Sequence, residues 1–139
     1  MNISRQTFHK TERLCSTKII ADLFENGNIF YSPHFKVVWS KSPVSLPFPA
    51  QVAFSISKKS FRLAVKRNLI KRRMREAYRR NKQELYDFLD SKDIRVVFIV
   101  IFRESNVPDY KALDKSVKEM ITKFIDLLKA KREEMLKLF

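Results

Sequence analysis

A run of positive charge, Lys58–Lys82, constrains this chain more than any other feature. It holds twelve Lys and Arg side chains against one acid, Glu76, which is +11 of the formal net charge of +14 in 25 of the 139 residues. The run contains neither Gly nor Pro. Such a segment is a disordered tail, a solvated helix face or a binding surface. The choice depends on whether the run has an apolar side.

Placed on a helical wheel at about 100° per residue, the run does have an apolar side. One arc holds Leu63, Ile70, Met74 and Ala77, with Tyr78 at its edge. A helix with such an arc packs into a core, which excludes the tail. We therefore predict a helix that starts near Arg62 and buries this arc.

A second arc of the wheel, roughly 100° wide, is polar and cationic. It holds Asn68, Lys71, Arg72, Arg75 and Arg79, with Arg67 at its border. Like charges four residues apart repel by a few tenths of a kcal/mol per pair, so this ladder is destabilising unless an anion lies against it. Arginine outnumbers lysine here, which favours forked contacts to phosphate over diffuse attraction to a membrane. We interpret the arc as a polyanion-binding surface. Nucleic acid is the first candidate partner and an anionic membrane surface the second.

The rest of the composition indicates a folded globule, with 45% hydrophobic residues and twelve Phe. We expect a single domain over residues 1–139, with flexible ends at 1–12 and 130–139. The lone cysteine, Cys15, cannot form an internal disulfide, and the N-terminus has no apolar signal segment. The longest apolar run, Val96–Phe102, is far too short to span a bilayer. A reducing cytoplasm is therefore the expected location.

In the N-terminal third of the chain, the sequence predicts one short helix with Ser16 or Thr17 as its N-cap residue. Gly27 is expected to end this helix in the left-handed conformation. The apolar positions of the helix are Ile19, Ile20, Leu23 and Phe24.

Two alternating segments follow, Phe35–Ser40 and Gln51–Ser57, and both are typical of half-buried strands. The proline-containing loop between them is expected to join them as an antiparallel hairpin. Ile94–Phe102 is apolar at both odd and even positions, so both faces of a strand there would be apolar. This pattern predicts a central strand covered on both faces. A last helix is predicted to start at Pro108–Asp109. The order α-β-β-α-β-α favours an α+β fold, a two-layer α/β sandwich.

The run SISKKSFRLAVKRNLIKRRMREAYR resembles the signature of the bacterial ribonuclease P protein component. The core of that signature is an Arg-Asn pair, a Lys-Arg pair and a further Arg at helical spacing. The N-terminal helix also matches in residue type and spacing, and the resemblance covers residues 10–127. Two departures are Leu69, where the family usually has Arg, and 60–62, where a Gly is common. The matching positions are Arg67-Asn68, Lys71-Arg72 and Arg75, and Arg13-Leu14, Ile20, Phe24 and Gly27.

The resemblance implies a left-handed β-α-β crossover and two RNA contacts. The basic helix would face a catalytic RNA, and a cleft between the first helix and the sheet would hold the 5′ leader of precursor tRNA. The expected RNA-binding residues are Arg67, Asn68, Lys71, Arg72, Arg75, Arg79, Lys58 and Lys59. The expected leader-binding residues are Arg13, Ile20, Phe24, Lys36 and Val38.

The resemblance also implies a division of labour in removing the leader. The RNA would carry the active site and hold the Mg²⁺ ions, and the protein would supply no catalytic side chain and no metal site. The sequence agrees, because its acids are scattered and its two His stand apart from any Cys/His metal spacing. The expected partners are the catalytic RNA and precursor tRNA, with no membrane and no obligate protein partner.

Two other functions stay open on the sequence. A non-catalytic RNA-binding protein, such as a ribosomal protein or RNA chaperone, would also be basic and inert alone. A DNA-binding helix module is weaker, since Asn68 is the only base-reading candidate amid the arginines.

Overall fold

The structure, a computed structural model, describes residues 7–137, with side chains described through residue 132. The described chain contains a 3-10 helix, four strands and four α-helices. Their bounds are Lys10–Glu12 for the 3-10 helix, Thr17–Asn26 for α1, Asn28–Ser32 for β1, Phe35–Lys41 for β2, Ala50–Ile56 for β3, Ala64–Asn81 for α2, Gln83–Ser91 for α3, Val96–Phe102 for β4 and Tyr110–Lys137 for α4.

The sheet forms around β4. Residues 96–100 are all buried, as expected for a segment that is apolar on both parities. β2 pairs with it antiparallel on one side and β3 pairs with it parallel on the other. β1 lies outside β2, so the strand order is β1-β2-β4-β3. The prediction of a central strand within Ile94–Phe102 is confirmed.

The predicted hairpin of β2 and β3 is wrong, because β4 lies between the two strands. A strand that is apolar on both faces is stabilised by neighbours on both edges as well as cover above and below. The proline loop instead crosses the end of β4. There Ser42 N–H donates to Arg95 O (2.8 Å) and Val96 N–H donates to Pro49 O (3.1 Å). α2 and α3 connect the parallel strands β3 and β4, and the left-handed sense of this crossover stays a prediction.

The predicted order of elements also lacks one strand, β1, which directly follows the first helix. It is short, and only Phe30 of its five residues is buried. Its signal is the run Ile29-Phe30-Tyr31 between Gly27 and Pro33. The run is too brief to show a clear period, so pairing with β2 decides its structure.

The α+β class is confirmed. Helices lie on both faces of the sheet, so α1 adds a layer to the predicted two-layer sandwich. α2, α3 and α4 pack on the face that carries Phe35, Val37 and Trp39. α1 packs on the opposite face, where Leu23 contacts a smaller cluster with Val38. The alternation predicted for β2 is therefore confirmed.

α1 begins as predicted and ends differently. The Ser16 hydroxyl caps it by accepting from Ile19 N–H (3.2 Å). Gly27 has φ −70° and ψ 158°, so the predicted left-handed cap is wrong. The glycine is needed for space instead. A Cβ there would lie 2.5 Å from Leu23 O and 2.7 Å from Val38 Cγ1.

α2 begins two residues later than predicted, at Ala64, with Leu63 as its N-cap residue. Leu63 is 62% exposed, so its assignment to the buried arc is wrong. An N-cap residue has extended φ and ψ, and a helical wheel therefore cannot place its side chain.

The expected flexible ends lie in part outside the described residues. Within them, the 3-10 helix packs against the body of the protein and buries Glu12. Leu14 N–H donates to Val52 O (2.9 Å) beside β3. At the other end, α4 continues through Lys137.

Candidate nucleic-acid interface

The buried side of α2 fixes how its charges are displayed. Ile70, Met74, Ala77 and Tyr78 are all 0% exposed and belong to the main core. The predicted apolar arc is confirmed at these four positions. Since they hold the helix in one rotation, the arc on the other side must face outward.

That outward arc, here called the cationic face, carries six of the predicted RNA-binding residues. Three are exposed and three are half-buried. The exposed ones are Asn68, Arg72 and Arg75, and the half-buried ones are Arg67, Lys71 and Arg79. The structure thus displays the predicted helix residues together on one surface.

Two members of the cationic face have partners within the protein. Arg67 donates to Phe61 O (2.6 Å) and Arg62 O (2.9 Å), which fixes the loop entering α2. Arg79 forms an ion pair with Glu76 (2.5 Å). The hydrogen bond from Arg79 lowers the pKa of Glu76. Arg67 therefore has a structural role besides any contact to a ligand.

The centre of the cationic face is different. Within the described residues, the side chains of Asn68, Lys71 and Arg72 form no hydrogen bond or ion pair. Their charges and donors are compensated only by solvent or by a ligand. A phosphate backbone supplies acceptors for such donors.

Arg13 joins this surface from the N-terminal segment. Its guanidinium lies over the Phe8 ring, with Cζ 5.5 Å from the ring centroid. Partial desolvation lowers the pKa of Arg75, and the nearby charge of Arg13 lowers it further. Both arginines line one cavity of about 380 Å³ with Arg72 and Arg79. The structure thus places Arg13 beside α2, whereas the family resemblance implied that it lies in the leader cleft.

Lys58 and Lys59 lie in the turn after β3 and are exposed. Ser57 Oγ accepts from Lys59 N–H (3.1 Å), which orders the turn. This turn leads into the loop before α2, so it places two further charges near the start of the cationic face.

A buried ion pair that the sequence did not reveal holds the N-terminal segment. Lys82, counted above within the charge run, is 2% exposed and bonds to Glu12, which is 0% exposed. Glu12 also accepts from Tyr86 Oη (2.5 Å) and from His9 N–H (2.6 Å). Burial lowers the pKa of Lys82. No sequence signal separates Lys82 from its exposed neighbours.

The second predicted surface lies on the sheet face that carries Lys36 and Val38, beside α1. Phe24 is 59% exposed there and Lys36 is half-buried. Val38 is 2% exposed, and Ile20 packs against the same small cluster. The structure thus leaves Phe24 and Lys36 accessible, while Val38 forms part of the floor under α1.

Two residues absent from the predicted cleft extend this surface. Tyr31 pairs with Lys36 across β1 and β2, so both side chains share one face, and Tyr31 is 49% exposed. The guanidinium of Arg103 lies 4.6 Å from the Tyr31 ring centroid. Tyr31 could not be found from the sequence, because β1 was not predicted. Arg103 could not be found either, because its contact with Tyr31 depends on that strand.

The cationic face does not fit a resident Mg²⁺ ion. Magnesium takes oxygen ligands, whereas this face offers guanidinium and ammonium groups that only donate. The neighbouring carboxylate, Glu76, is paired with Arg79. Across the described part of the chain, no group of three His, Cys, Asp or Glu side chains is placed to hold a metal ion.

A family model described as Ribonuclease P matches residues 8–125. The ribonuclease P protein component of Porphyromonas gingivalis is 31% identical over 112 residues, which cover 81% of this chain and 82% of that protein. The ribonuclease P protein component of Petrotoga mobilis is 32% identical over 129 residues, covering 90% of this chain and 98% of that protein.

Solved structures share the fold. The RNase P protein from Thermotoga maritima matches with a TM-score of 0.61 at 20% identity, covering 81% of this chain and 96% of that one. The RNase P protein of Staphylococcus aureus matches with a TM-score of 0.60 at 22% identity, covering 81% and 94%. In the part of the chain that the structure describes, no helix is both long and apolar enough to cross a membrane.

The mixed sheet and the cationic face define a class, the small basic α+β proteins whose surface suits a polyanion. Within that class, the family is shown by the family model, which matches most of the chain, and by relatives above 30% identity. The chain belongs to the ribonuclease P protein component family, as the sequence resemblance predicted. Membership implies a part in tRNA 5′ processing, as a subunit of an endoribonuclease holoenzyme with an RNA partner.

Proposed function

We propose that this chain is the protein subunit of a ribonuclease P ribonucleoprotein and binds the catalytic RNA through the cationic face. The observation that carries the proposal is the locked rotation of α2. Four side chains with no exposure hold the helix. On its opposite side, among the described residues, the charges of Lys71 and Arg72 and the amide of Asn68 have no partner within the protein. Phosphates would relieve the like-charge repulsion along this row.

The surface beside α1 is proposed to hold the single-stranded 5′ leader of precursor tRNA. Single strands bind where exposed aromatic rings accept stacked bases and cations follow the backbone. Phe24 and Tyr31 supply the exposed rings, and Lys36 and Arg103 supply the charges. The two RNA contacts would therefore use different surfaces of the protein.

The partner RNA is proposed to perform the hydrolysis, with the Mg²⁺ ions held mainly by that RNA. Metal-assisted hydrolysis needs ions that polarise the phosphate and activate water. The donor chemistry of the cationic face suits phosphate and does not suit Mg²⁺. The protein would act by positioning the leader and by offsetting phosphate repulsion, in the cytoplasm.

A cleavage assay with the catalytic RNA and precursor tRNA, with and without this chain, tests the proposal. The chain should restore removal of the leader at low Mg²⁺, because its cations replace part of the charge screening that Mg²⁺ provides. A chain that binds the RNA but leaves cleavage unchanged would be a non-catalytic RNA-binding protein instead.

The leader contact has its own test. Phe24→Ala and Tyr31→Ala should weaken binding of precursor tRNA by the holoenzyme, at about 1–3 kcal/mol for each lost stacking partner. Binding of mature tRNA, which has no leader, is the matched control and should not change. Equal losses for both tRNAs would remove the leader from this surface.

A further inference from the structure

A second cavity lies at the far end of the helical layer, away from the surfaces described above. Its volume is about 440 Å³, within the range of small-ligand sites. It opens where β2 ends and β4 begins, beside the last turns of α4. The lining residues are Trp39, Lys41, Lys92, Asp93, Ile94, Leu128, Lys131 and Arg132.

The cavity combines an apolar wall with a cationic rim. Trp39, Ile94 and Leu128 form the wall, and the rim carries four cations against one carboxylate, Asp93. Lys131 lies over the Trp39 ring, with Nζ 5.0 Å from the centroid. Arg132 donates to the backbone of Lys92 (3.3 Å), which joins the two sides of the rim.

This cavity is separate from both proposed RNA contacts. The side chain of Trp39 points into the helical layer, opposite the sheet face that carries Lys36. Lys41 and Val96 pair at the end of the sheet where β4 starts. The turn with Lys58 follows the other end, because β3 runs parallel to β4.

The cavity also depends on a part of the chain beyond the family match. The match ends at residue 125, whereas Leu128, Lys131 and Arg132 follow it on α4. The last turns of α4 thus supply one side of the wall and half of the cationic rim.

We propose that this cavity binds an unpaired nucleotide of an RNA strand. The base lies against the apolar wall, and the flanking phosphates lie against the lysines and Arg132. Single-stranded RNA is recognised in this way, by an apolar or aromatic surface for the base and cations for the backbone. The rim is net positive, so an anionic occupant fits it better than a cationic or a neutral apolar one. The proposal rests on the proposed function only in taking RNA as the partner.

The chain carries a built-in probe, because Trp39 is its only tryptophan. Titration of the full chain with single-stranded oligouridylate should change Trp39 fluorescence with saturation. Lys131→Ala/Arg132→Ala should weaken this binding about tenfold, since two charge-assisted contacts are lost. The control, Lys111→Ala/Lys115→Ala, removes the same charge from exposed positions of the same helix and should bind like the parent chain.

Three results would overturn the proposal. One is an equal loss in both double variants, which would mean attraction to overall charge. Another is a response to uridine monophosphate as strong as to oligouridylate, which would make the site one for free nucleotides. The third is an equal response to duplex RNA. Lys41→Ala/Lys92→Ala, on the opposite side of the rim, repeats the test if the first variant does not fold.

The outcome is distinguishable from failure of the proposed function. Arg72→Ala/Arg75→Ala changes the cationic face alone and should leave the oligouridylate titration intact. A chain that fails to support leader cleavage yet shows the Trp39 response would contradict the proposed function and support this site. The reverse result would contradict only this site.

Discussion

Arg75 lies where two basic segments of the chain meet. It is exposed on α2, and Arg13 from the N-terminal segment is close enough that its charge lowers the pKa of Arg75. The guanidinium groups of Arg13 and Arg75 therefore repel each other in the free protein. A phosphate between them would turn that repulsion into attraction, so Arg75 is the residue where RNA binding should gain most.

Arg75→Ala should therefore weaken binding to the catalytic RNA and leave the fold intact. The slope of log affinity against log salt should fall by about 0.7–0.9 for each lost phosphate contact. Arg80→Ala, at an exposed position on another side of α2, is the matched control and should change the slope less. Salt-dependent binding measurements check this, with circular dichroism for the fold. An unfolded Arg75→Ala protein would instead make Arg75 structural.

Gly27 shows how one residue can serve a role other than the expected one. Its backbone is extended and available to any residue. The absence of a side chain lets the end of α1 approach Val38 on β2. The glycine thus sets the distance between α1 and the sheet.

Gly27→Ala should destabilise the protein by about 1–3 kcal/mol, because the new Cβ overlaps the Leu23 carbonyl and Val38. Urea denaturation measures the free energy of unfolding directly. Unchanged stability would mean that α1 moves away from the sheet without cost.

At the scale of elements, the junction of α2 and α3 holds the N-terminal segment in place. Lys82 lies at this junction and pairs with Glu12 of the 3-10 helix, where Tyr86 of α3 adds a hydrogen bond. Glu12 is next to Arg13, so this buried pair sets the position of Arg13 beside α2. Which cations lie beside the cationic face thus depends on a contact in the interior.

Glu12→Gln should cost about 3–5 kcal/mol of stability, since it leaves the buried Lys82 charge unpaired. Glu76→Gln breaks the exposed pair with Arg79 and should cost about 0–1 kcal/mol. The two variants make the same chemical change in different surroundings. Equal losses in chemical denaturation would show that the Glu12 site is open to water.

At the scale of the whole molecule, the aromatic core joins the N-terminal segment, the sheet and α2. The ring of Tyr78 contacts Phe8 and Phe54 at 5.8 Å and Phe98 at 6.0 Å between centroids. Burial raises the pKa of Tyr78 and that of Tyr86 above the ordinary value of about 10. Both phenols therefore keep their protons to a higher pH in the folded protein than in the unfolded chain.

These two tyrosines make the stability of the protein depend on pH in the alkaline range. Above about pH 10 the unfolded chain releases these protons and the folded protein keeps them, so stability falls as pH rises. The lowered pKa of Lys82 acts in the opposite direction, so the comparison needs a variant that retains Lys82. Tyr78→Phe should make the fall less steep by about 1.4 kcal/mol per pH unit. Urea unfolding across the alkaline range checks this, and an identical slope in both proteins would contradict it.

The periodic parts of the chain could be predicted from the sequence. Ile70, Met74 and Ala77 recur at helical spacing, and burial followed as expected. The doubly apolar run at β4 likewise predicted its central place. These patterns work because a regular backbone repeats the same environment at fixed intervals.

The contacts between distant segments could not be predicted. The family resemblance located the basic motif, but it did not show that Arg67 supports a loop or that Arg13 lies beside Arg75. β3 pairs with β4, and β1 pairs with β2. Which strand edges pair cannot be predicted from the residue pattern of a single segment.

By itself, the sequence determined the charge of α2, its amphipathic rotation and the family. These three properties depend on side-chain chemistry and on the spacing of residues along the chain, and both can be taken directly from the sequence. Only the tertiary structure decided which cations share a surface and that Lys82 is buried with Glu12. It alone brought Trp39, Lys92 and Lys131 around one cavity. The physical reason is that burial and proximity arise from packing between segments far apart in sequence.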